Sequence, residues 1–279
     1  MRIDAHQHYW SMSRSDYGWI TPELPVLYRD YLPDDLKAHL ERHNLNGTIV
    51  VQAAPTAEET EYLFALADRS ESILGVVGWL DLFDPSHREQ FERYRKHPKF
   101  VGFRIMIQDM PDANRVLEPA FLKALQEYAA MDVPVDLLVK SSQLEVLSAL
   151  LEAVPGLRGV IDHIGKPCIS EQIFEPWASQ IEQAAKHRNI YCKISGMVTE
   201  ADHAAWEPDH FKAYVAHVVR VFGAERVLFG TDWPVCLLAA SYDDVVNVLE
   251  SSIPEAWGEP ERAKLYGDNA MKFYKLRTE

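Results

Sequence analysis

Residues 48–69 read TIVVQAAPTAEETEYLFALADR, a β-branched apolar run followed by a segment with helical periodicity. The run at 48–53 has the composition of a buried strand, and the segment at 57–69 has the spacing of an amphipathic helix. The same alternation of strand and helix continues along the chain. Alternating units of this kind predict a parallel sheet with helices packed outside it.

Eight such units fit into 279 residues. Strands are predicted at residues 2–5, 48–53, 73–80, 100–107, 133–139, 159–162, 190–194 and 227–229. The clearest helices are predicted at 57–69, 119–131, 142–153, 173–187 and 208–222, with others starting at residue 33 and covering 86–97, 243–249 and 261–274. This pattern predicts one α/β domain over residues 1–279, a (β/α)8 TIM-like barrel, with a doubly wound open sheet as the alternative.

The composition is that of a globular protein, since 47% of the residues are hydrophobic and 25% are charged. The formal net charge of −14 disfavours nucleic acids and anionic membrane surfaces as partners. A membrane span needs about 18 consecutive apolar residues, and the sequence has no such run. The charged start lacks the apolar stretch of a signal peptide, and three cysteines are too few for a disulfide framework. We therefore expect a cytoplasmic protein; the sequence indicates no oligomeric state.

Active sites of such barrels are built at the carboxyl ends of the strands, and three strands here end in reactive residues. Strand one ends in His6 and His8, which alternation directs to one side of the strand. Strand six ends in His163, and strand eight ends in Asp232. Each residue alone has an ordinary explanation, such as a packed histidine or a helix-capping aspartate. Together, three imidazoles and one carboxylate predict a site for a divalent ion such as zinc, or a metal-free acid–base site.

Five further residues near the strand ends are candidate substrate contacts. Arg104 and Lys193 can bind a carboxylate, a hydroxyl or a carbonyl oxygen, or can form salt bridges inside the barrel. Gln52 and Trp79 offer an amide and an indole, which suit a polyhydroxylated ring. Trp233 is a candidate wall of the same pocket, and core packing is the alternative for both tryptophans.

The segment 9–31 follows strand one and is long and rich in aromatic residues. Long loops at this end of a barrel often cover the active site, so this segment is a candidate lid.

These motifs resemble the amidohydrolase superfamily, and more narrowly its amidohydrolase-related group, which contains sugar-acid and dicarboxylate lactonases. The resemblance covers most of the barrel and rests on five stretches: Ile3-Asp4-Ala5-His6-Gln7-His8-Tyr9-Trp10, Gly102-Phe103-Arg104, Asp162-His163-Ile164-Gly165-Lys166-Pro167, Lys193-Ile194-Ser195-Gly196 and Phe229-Gly230-Thr231-Asp232-Trp233-Pro234. It implies the metal-dependent-hydrolase type of barrel, with His6, His8, His163 and Asp232 as ligands of the ion.

The chain departs from binuclear amidohydrolases at strand four. Those enzymes carry a bridging carboxylated lysine or a glutamate at the end of this strand, whereas residues 100–108 here read FVGFRIMIQ. We therefore expect one divalent ion at most, with zinc favoured. The resemblance also includes lactonases that need no ion, because a lactone is an activated ester.

The resemblance implies hydrolysis of the cyclic ester of a sugar acid, with Asp232 and His163 as catalytic residues. Asp232 takes a proton from the attacking water and returns it to the ring oxygen, while the imidazoles stabilise the oxyanion directly or through an ion. The implied substrates are aldonolactones of the L-fucose, L-rhamnose or D-galactose type, with L-fuconolactone favoured. The alternatives are a metal-dependent decarboxylase of an aromatic or unsaturated acid, another metal-dependent hydrolase, and a sugar-binding barrel.

Overall fold

The computed structural model describes residues 1–276 and contains a ring of eight parallel strands. The strands are β1 Ile3–Gln7, β2 Gly47–Val51, β3 Ile73–Trp79, β4 Phe100–Met106, β5 Val135–Leu138, β6 Gly159–Ile161, β7 Ile190–Ile194 and β8 Val227–Phe229. Each strand pairs with the next along the chain, and a parallel bridge between Gln7 and Trp233 returns β8 to β1. The barrel prediction is confirmed and the open sheet is excluded; the predicted domain extends to residue 279, beyond the described residues.

Helices fill the connections between the strands. They are α1 Pro33–Arg42, α2 Ala57–Ala67, α3 His87–Tyr94, α4 Pro119–Ala130, α5 Leu144–Ala153, α6 Trp177–Ala185, α7 Asp209–Phe222, α8 Tyr242–Ser252, α9 Glu259–Ala263 and α10 Asn269–Tyr274. Helix α6 begins later than the predicted residue 173, and Pro176, which has no N–H for the helical hydrogen-bond ladder, stands directly before its first residue. Among residues 1–276, no helix has both the length and the apolar character needed to cross a membrane.

The predicted helix at 261–274 is divided by a π-helical turn, Lys264–Asp268. At this turn the chain passes directly over the start of β1, since a Cβ on Gly267 would lie 1.8 Å from the carbonyl oxygen of Met1. Beyond the turn, Phe273 and Tyr274 of α10 pack among apolar side chains inside the barrel, including that of Ile3. Helix α10 therefore fills the end of the barrel where the strands begin, and the opposite end holds the polar strand ends.

The aromatic segment 9–31 is packed against the barrel at the end where the strands finish. Trp10 and Tyr31 form an antiparallel bridge, and both are buried. The indole N–H of Trp19 donates to the carbonyl oxygen of Ala53, just beyond β2, at 2.9 Å. The segment thus lies over the carboxyl end of β2, and its role as a lid stays a prediction.

Glu59 of α2 fixes the loop that follows β2. Its carboxylate is fully buried and accepts from the backbone N–H groups of Ala53 and Ala54. These residues directly follow Gln52, one of the candidate substrate contacts. Burial raises the pKa of Glu59 to about 7, although the two backbone donors act in the opposite direction.

We predict that Glu59→Gln removes part of the pH dependence of stability. The ordinary pKa is 4.5 and the folded value is about 7, so the folded state holds this proton more tightly than the unfolded state. The stability that the proton on Glu59 contributes is fully present below pH 4.5 and is lost as the pH rises towards 7. Glutamine cannot ionise, so urea midpoints should show the variant gaining stability relative to wild type across this interval. Glu58→Gln, an exposed change on the same helix, is the control, and an equal pH dependence of Glu59→Gln and wild type would contradict the assignment.

Candidate active site

The side chains of His6, His8, His163 and Asp232 meet inside the mouth of the barrel. Oδ1 of Asp232 lies 3.2 Å from Nε2 of His8, 3.7 Å from Nε2 of His6 and 3.9 Å from Nε2 of His163. The Nε2 atoms of His6 and His8 are 3.2 Å apart. The Asp232 side chain is the most exposed of the four, at 7%, so this cluster is reached only from the mouth. The structure thus brings together all four residues that the sequence predicts as a ligand set.

Unusual backbone conformations direct these side chains inward. Four successive residues after β6, His163 to Lys166, have positive φ angles of 53°, 48°, 72° and 49°. Asp232 after β8 also has a positive φ, 59°. Left-handed conformations cost non-glycine residues roughly 1–2 kcal/mol each, and such strain concentrates at functional sites. These conformations lower the stability of the fold, and they direct His163 and Asp232 towards the same point.

The hydrogen bond of His8 shows what the cluster can hold. Its Nδ1 lies 2.7 Å from the carbonyl oxygen of Val51, which can only accept, so Nδ1 carries the ring proton. In the neutral ring Nε2 then has a free lone pair, and this lone pair faces Oδ1 of Asp232 at 3.2 Å. Two acceptors at this distance need a proton or a cation between them. Because the surrounding donors are imidazole nitrogens and a carboxylate oxygen, the residues fit a divalent metal ion such as zinc.

Burial and neighbouring groups set the charge states of the cluster. Burial lowers the pKa values of His6 and His163 well below the ordinary value, so both rings are neutral near pH 7. Burial opposes ionisation of Asp232, yet its polar surroundings, among them the cation of Lys166, hold the pKa of this carboxyl below its ordinary value. The site therefore combines the neutral imidazoles of His6 and His163 with one ionised carboxylate.

Arg104 and Gln52 form one unit on the wall next to the cluster. The Arg104 guanidinium donates to the side-chain oxygen of Gln52 at 2.9 Å and also to its backbone oxygen. A third nitrogen of Arg104 lies 3.6 Å from Asp162. Arg104 is 3% exposed and Gln52 is fully buried, so both side chains are held rigidly by protein groups.

The structure places Lys193 beneath His6 rather than at the mouth. Its fully buried ammonium group contacts Asp136 and lies 3.2 Å from Asp162 and 3.1 Å from Nδ1 of His6. The sequence predicts Lys193 as a substrate contact, and this placement favours a role towards His6 instead. Asp136 and Asp162 were given no role in the sequence analysis. The available signal was an acidic residue within each of two apolar strand segments, VDLL of β5 and GVID at the end of β6.

The two tryptophans lie in different surroundings. Trp79 is the last residue of β3, is partly exposed, and pairs in register with Arg104. Trp233 is 2% exposed, and its ring packs 5.1 Å from that of Tyr31 and 6.1 Å from that of Tyr9, measured between centroids. Trp79 is therefore placed to face the mouth, whereas Trp233 supports the aromatic segment behind Asp232.

Comparison with known proteins agrees with this architecture. The amidohydrolase family profile matches residues 3–276. An L-fucono-1,5-lactonase of Burkholderia ambifaria is 38% identical over 99% of this chain and 96% of its own length, and an L-fucono-1,5-lactonase of Burkholderia multivorans is 36% identical with the same coverage. A crystal structure of an amidohydrolase from Burkholderia multivorans with bound zinc superposes with a TM-score of 0.93, at 36% identity, covering 99% of this chain and all of the other.

We predict that Gly196→Ala lowers activity by displacing His163. Gly196 follows β7 with a φ of 59°, and a Cβ there would lie 2.4 Å from Nδ1 of His163. A shift of about 1 Å in a catalytic group can cost about a hundredfold in rate, so kcat/KM should fall by about ten- to a hundredfold. The measurement is steady-state turnover, with circular dichroism to confirm folding.

Gly223→Ala is the matched control for this variant. Gly223 also has a positive φ, 69°, but no atom lies within 4 Å of its added Cβ. It should lose stability and keep its activity. Equal activity of the two variants would show that His163 is not held by the contact with Gly196.

Proposed function

This chain belongs to the amidohydrolase family, and we propose that within it the protein hydrolyses the ring ester of a sugar-acid lactone to the open hydroxy acid. The observation that carries the proposal is the position of the Asp232 carboxylate, which has three imidazole nitrogens within 3.9 Å of its Oδ1 at the barrel mouth. Full-length similarity to two L-fucono-1,5-lactonases supports lactone hydrolysis, and L-fucono-1,5-lactone is the substrate that we propose first.

Asp232 is the general base and then the general acid of the proposed reaction. Its lowered pKa keeps the carboxylate ionised, so it can take a proton from a water molecule that attacks the lactone carbonyl. The carbonyl carbon becomes tetrahedral, and its oxygen gains a negative charge. The ring C–O bond then breaks, and Asp232 returns the proton to the ring oxygen. One carboxylate can serve both steps because the first step leaves it protonated.

The imidazoles are proposed to stabilise the developing oxyanion. The rings of His6 and His163 are neutral near pH 7, so a ring N–H of either that points at the oxyanion can donate a hydrogen bond to it, whereas the N–H of His8 is held by Val51. The His163 ring is fixed by the hydroxyl of Ser195, 3.0 Å from its Nδ1, which leaves Nε2 directed towards Asp232. Fixed donors of this kind need no reorganisation when charge develops.

Substrate recognition is assigned to the wall of the mouth. We propose that Trp79 stacks on the sugar ring and that Arg104, held in position by the buried Gln52, offers polar contacts to its hydroxyl groups. Trp233 remains a candidate wall residue through its packing behind Asp232. The proposed partner is thus a small polar lactone.

His6, His8, His163 and Asp232 are the residues that would hold a metal ion, and we propose a single zinc ion. When bound, such an ion polarises a carbonyl group and stabilises negative oxygen. The free lone pair of His8 Nε2 beside Asp232 supports this assignment, as does the zinc in the related amidohydrolase of known structure. We also propose the reducing cytoplasm as the location, because Cys168, Cys192 and Cys236 are all free thiols.

We predict that Asp232→Asn removes nearly all lactone hydrolysis. Asparagine keeps the shape of the side chain but cannot accept the proton of the attacking water, and such a group contributes roughly a hundredfold or more. Acid release from L-fucono-1,5-lactone, followed with a pH indicator, should fall by at least this factor. Asp209→Asn, an exposed change at the start of α7, should retain wild-type turnover. If Asp232→Asn kept more than about a tenth of the wild-type kcat, Asp232 would not be the base.

A further inference from the structure

Three buried groups surround the ammonium group of Lys193, which is aligned to donate to two of them, Asp136 and His6, and lies near the third, Asp162, without an aligned hydrogen bond. Asp136 is held in turn by the hydroxyl of Tyr274, which lies 2.8 Å and 3.0 Å from its two oxygens. The position of Lys193 is therefore fixed from β5 and from the C-terminal helix α10.

Two groups compete for Nδ1 of His6. Lys193 lies 3.1 Å from this nitrogen and is aligned to donate to it. Oδ1 of Asp162 lies 3.2 Å from the same nitrogen and can only accept from it. Within residues 1–276, neither oxygen of the fully buried Asp162 has an aligned hydrogen-bond donor, although three positively charged or polar groups lie nearby.

The competition decides which nitrogen of the neutral His6 ring carries the proton. If Lys193 donates to Nδ1, the proton lies on Nε2, and Nε2–H can donate to the lone pair of His8 Nε2 or to a developing oxyanion. If Nδ1–H donates to Asp162 instead, Nε2 has a free lone pair and can bind a metal ion. The geometry described here is that of the first state, because the Lys193 hydrogen bond is aligned and the Asp162 oxygens are unpartnered.

We propose that Lys193 and Asp162 are positioning residues with opposite effects on the tautomer of His6. Lys193 favours the tautomer with the proton on Nε2, which is a hydrogen-bond donor when no ion is bound. Asp162 favours the tautomer with the proton on Nδ1, whose Nε2 can bind a metal ion. The catalytic consequence of this selection rests on the proposed lactone hydrolysis. In the ion-free protein, the Nε2–H group of His6 would be a hydrogen-bond donor for the lactone oxyanion. The tautomer itself is a property of the site and is independent of the substrate.

Long-range ¹H–¹⁵N spectra of ¹⁵N-histidine wild-type protein test the tautomer directly, with His6→Asn used to assign the His6 signals. In chelator-treated protein, His6 should have its proton on Nε2, and after addition of zinc the proton should move to Nδ1. A His6 with its proton on Nδ1 in the ion-free protein would overturn the proposal.

Two variants test the opposed roles through zinc affinity, measured by competition with a chromogenic chelator. Lys193→Met removes the competing donor and should tighten zinc binding by about tenfold, while ion-free turnover falls. Asp162→Asn removes the charge that attracts Nδ1–H and should weaken zinc binding by about 10- to 100-fold, the range for partners of ligating histidines. Lys212→Met, an exposed change on α7, is the control and should leave zinc affinity unchanged.

Weaker or unchanged zinc binding by Lys193→Met would overturn the role of Lys193. If that variant does not fold, the spectra of the wild-type protein still decide the question. If the wild type hydrolyses no lactone, the proposed function fails, whereas the spectra and the zinc affinities still test the selection of the His6 tautomer.

Discussion

Two backbone hydrogen bonds close the barrel and build the site at the same time. The N–H of Asp232 donates to the carbonyl oxygen of His6 at 2.8 Å, and the N–H of His8 donates to that of Trp233 at 2.7 Å. These bonds join β1 to the residues after β8, which lie at opposite ends of the chain. The carboxylate of Asp4 in β1 adds to this closure by accepting from the backbone N–H and the hydroxyl of Thr231, next to Asp232. The hydrogen bonds that close the barrel therefore also hold Asp232 beside the imidazoles.

The second constraint is the burial of charge inside the barrel. Arg104 and Lys193 face Asp136 and Asp162, so two cations are paired with two carboxylates. Removal of one partner from such a pair leaves an uncompensated buried charge, which is strongly destabilising. Burial opposes ionisation of Asp162, yet the ammonium group of Lys193 holds its pKa well below the ordinary value. Burial keeps the rings of His6 and His163 neutral, while Asp232, nearer the mouth, is ionised.

The strands and the four-residue cluster could be predicted from the sequence because both follow local rules. Strands of a parallel barrel are covered on both faces and read as apolar runs such as IVV in β2, and their carboxyl ends meet at one mouth. The direction of the Lys193 side chain could not be predicted, because it is set by Asp136 and Asp162 on other strands. The left-handed turn from His163 to Lys166 was also not predicted, since among its residues only Gly165 favours positive φ. The helical stretch at 261–274 was predicted, but the π-helical turn within it was not, because the contact between Gly267 and Met1 is not local.

The most direct test of this account is the turnover of wild-type protein on a panel of substrates. Acid release from L-fucono-1,5-lactone and other aldonolactones would be followed with a pH indicator, and carbon dioxide release from aromatic and unsaturated acids would be followed in parallel, each with added zinc and with chelator. The account predicts rapid acid release from a sugar lactone and no carbon dioxide from the acids. Carbon dioxide release without hydrolysis of any lactone would contradict it, because the same cluster would then serve decarboxylation.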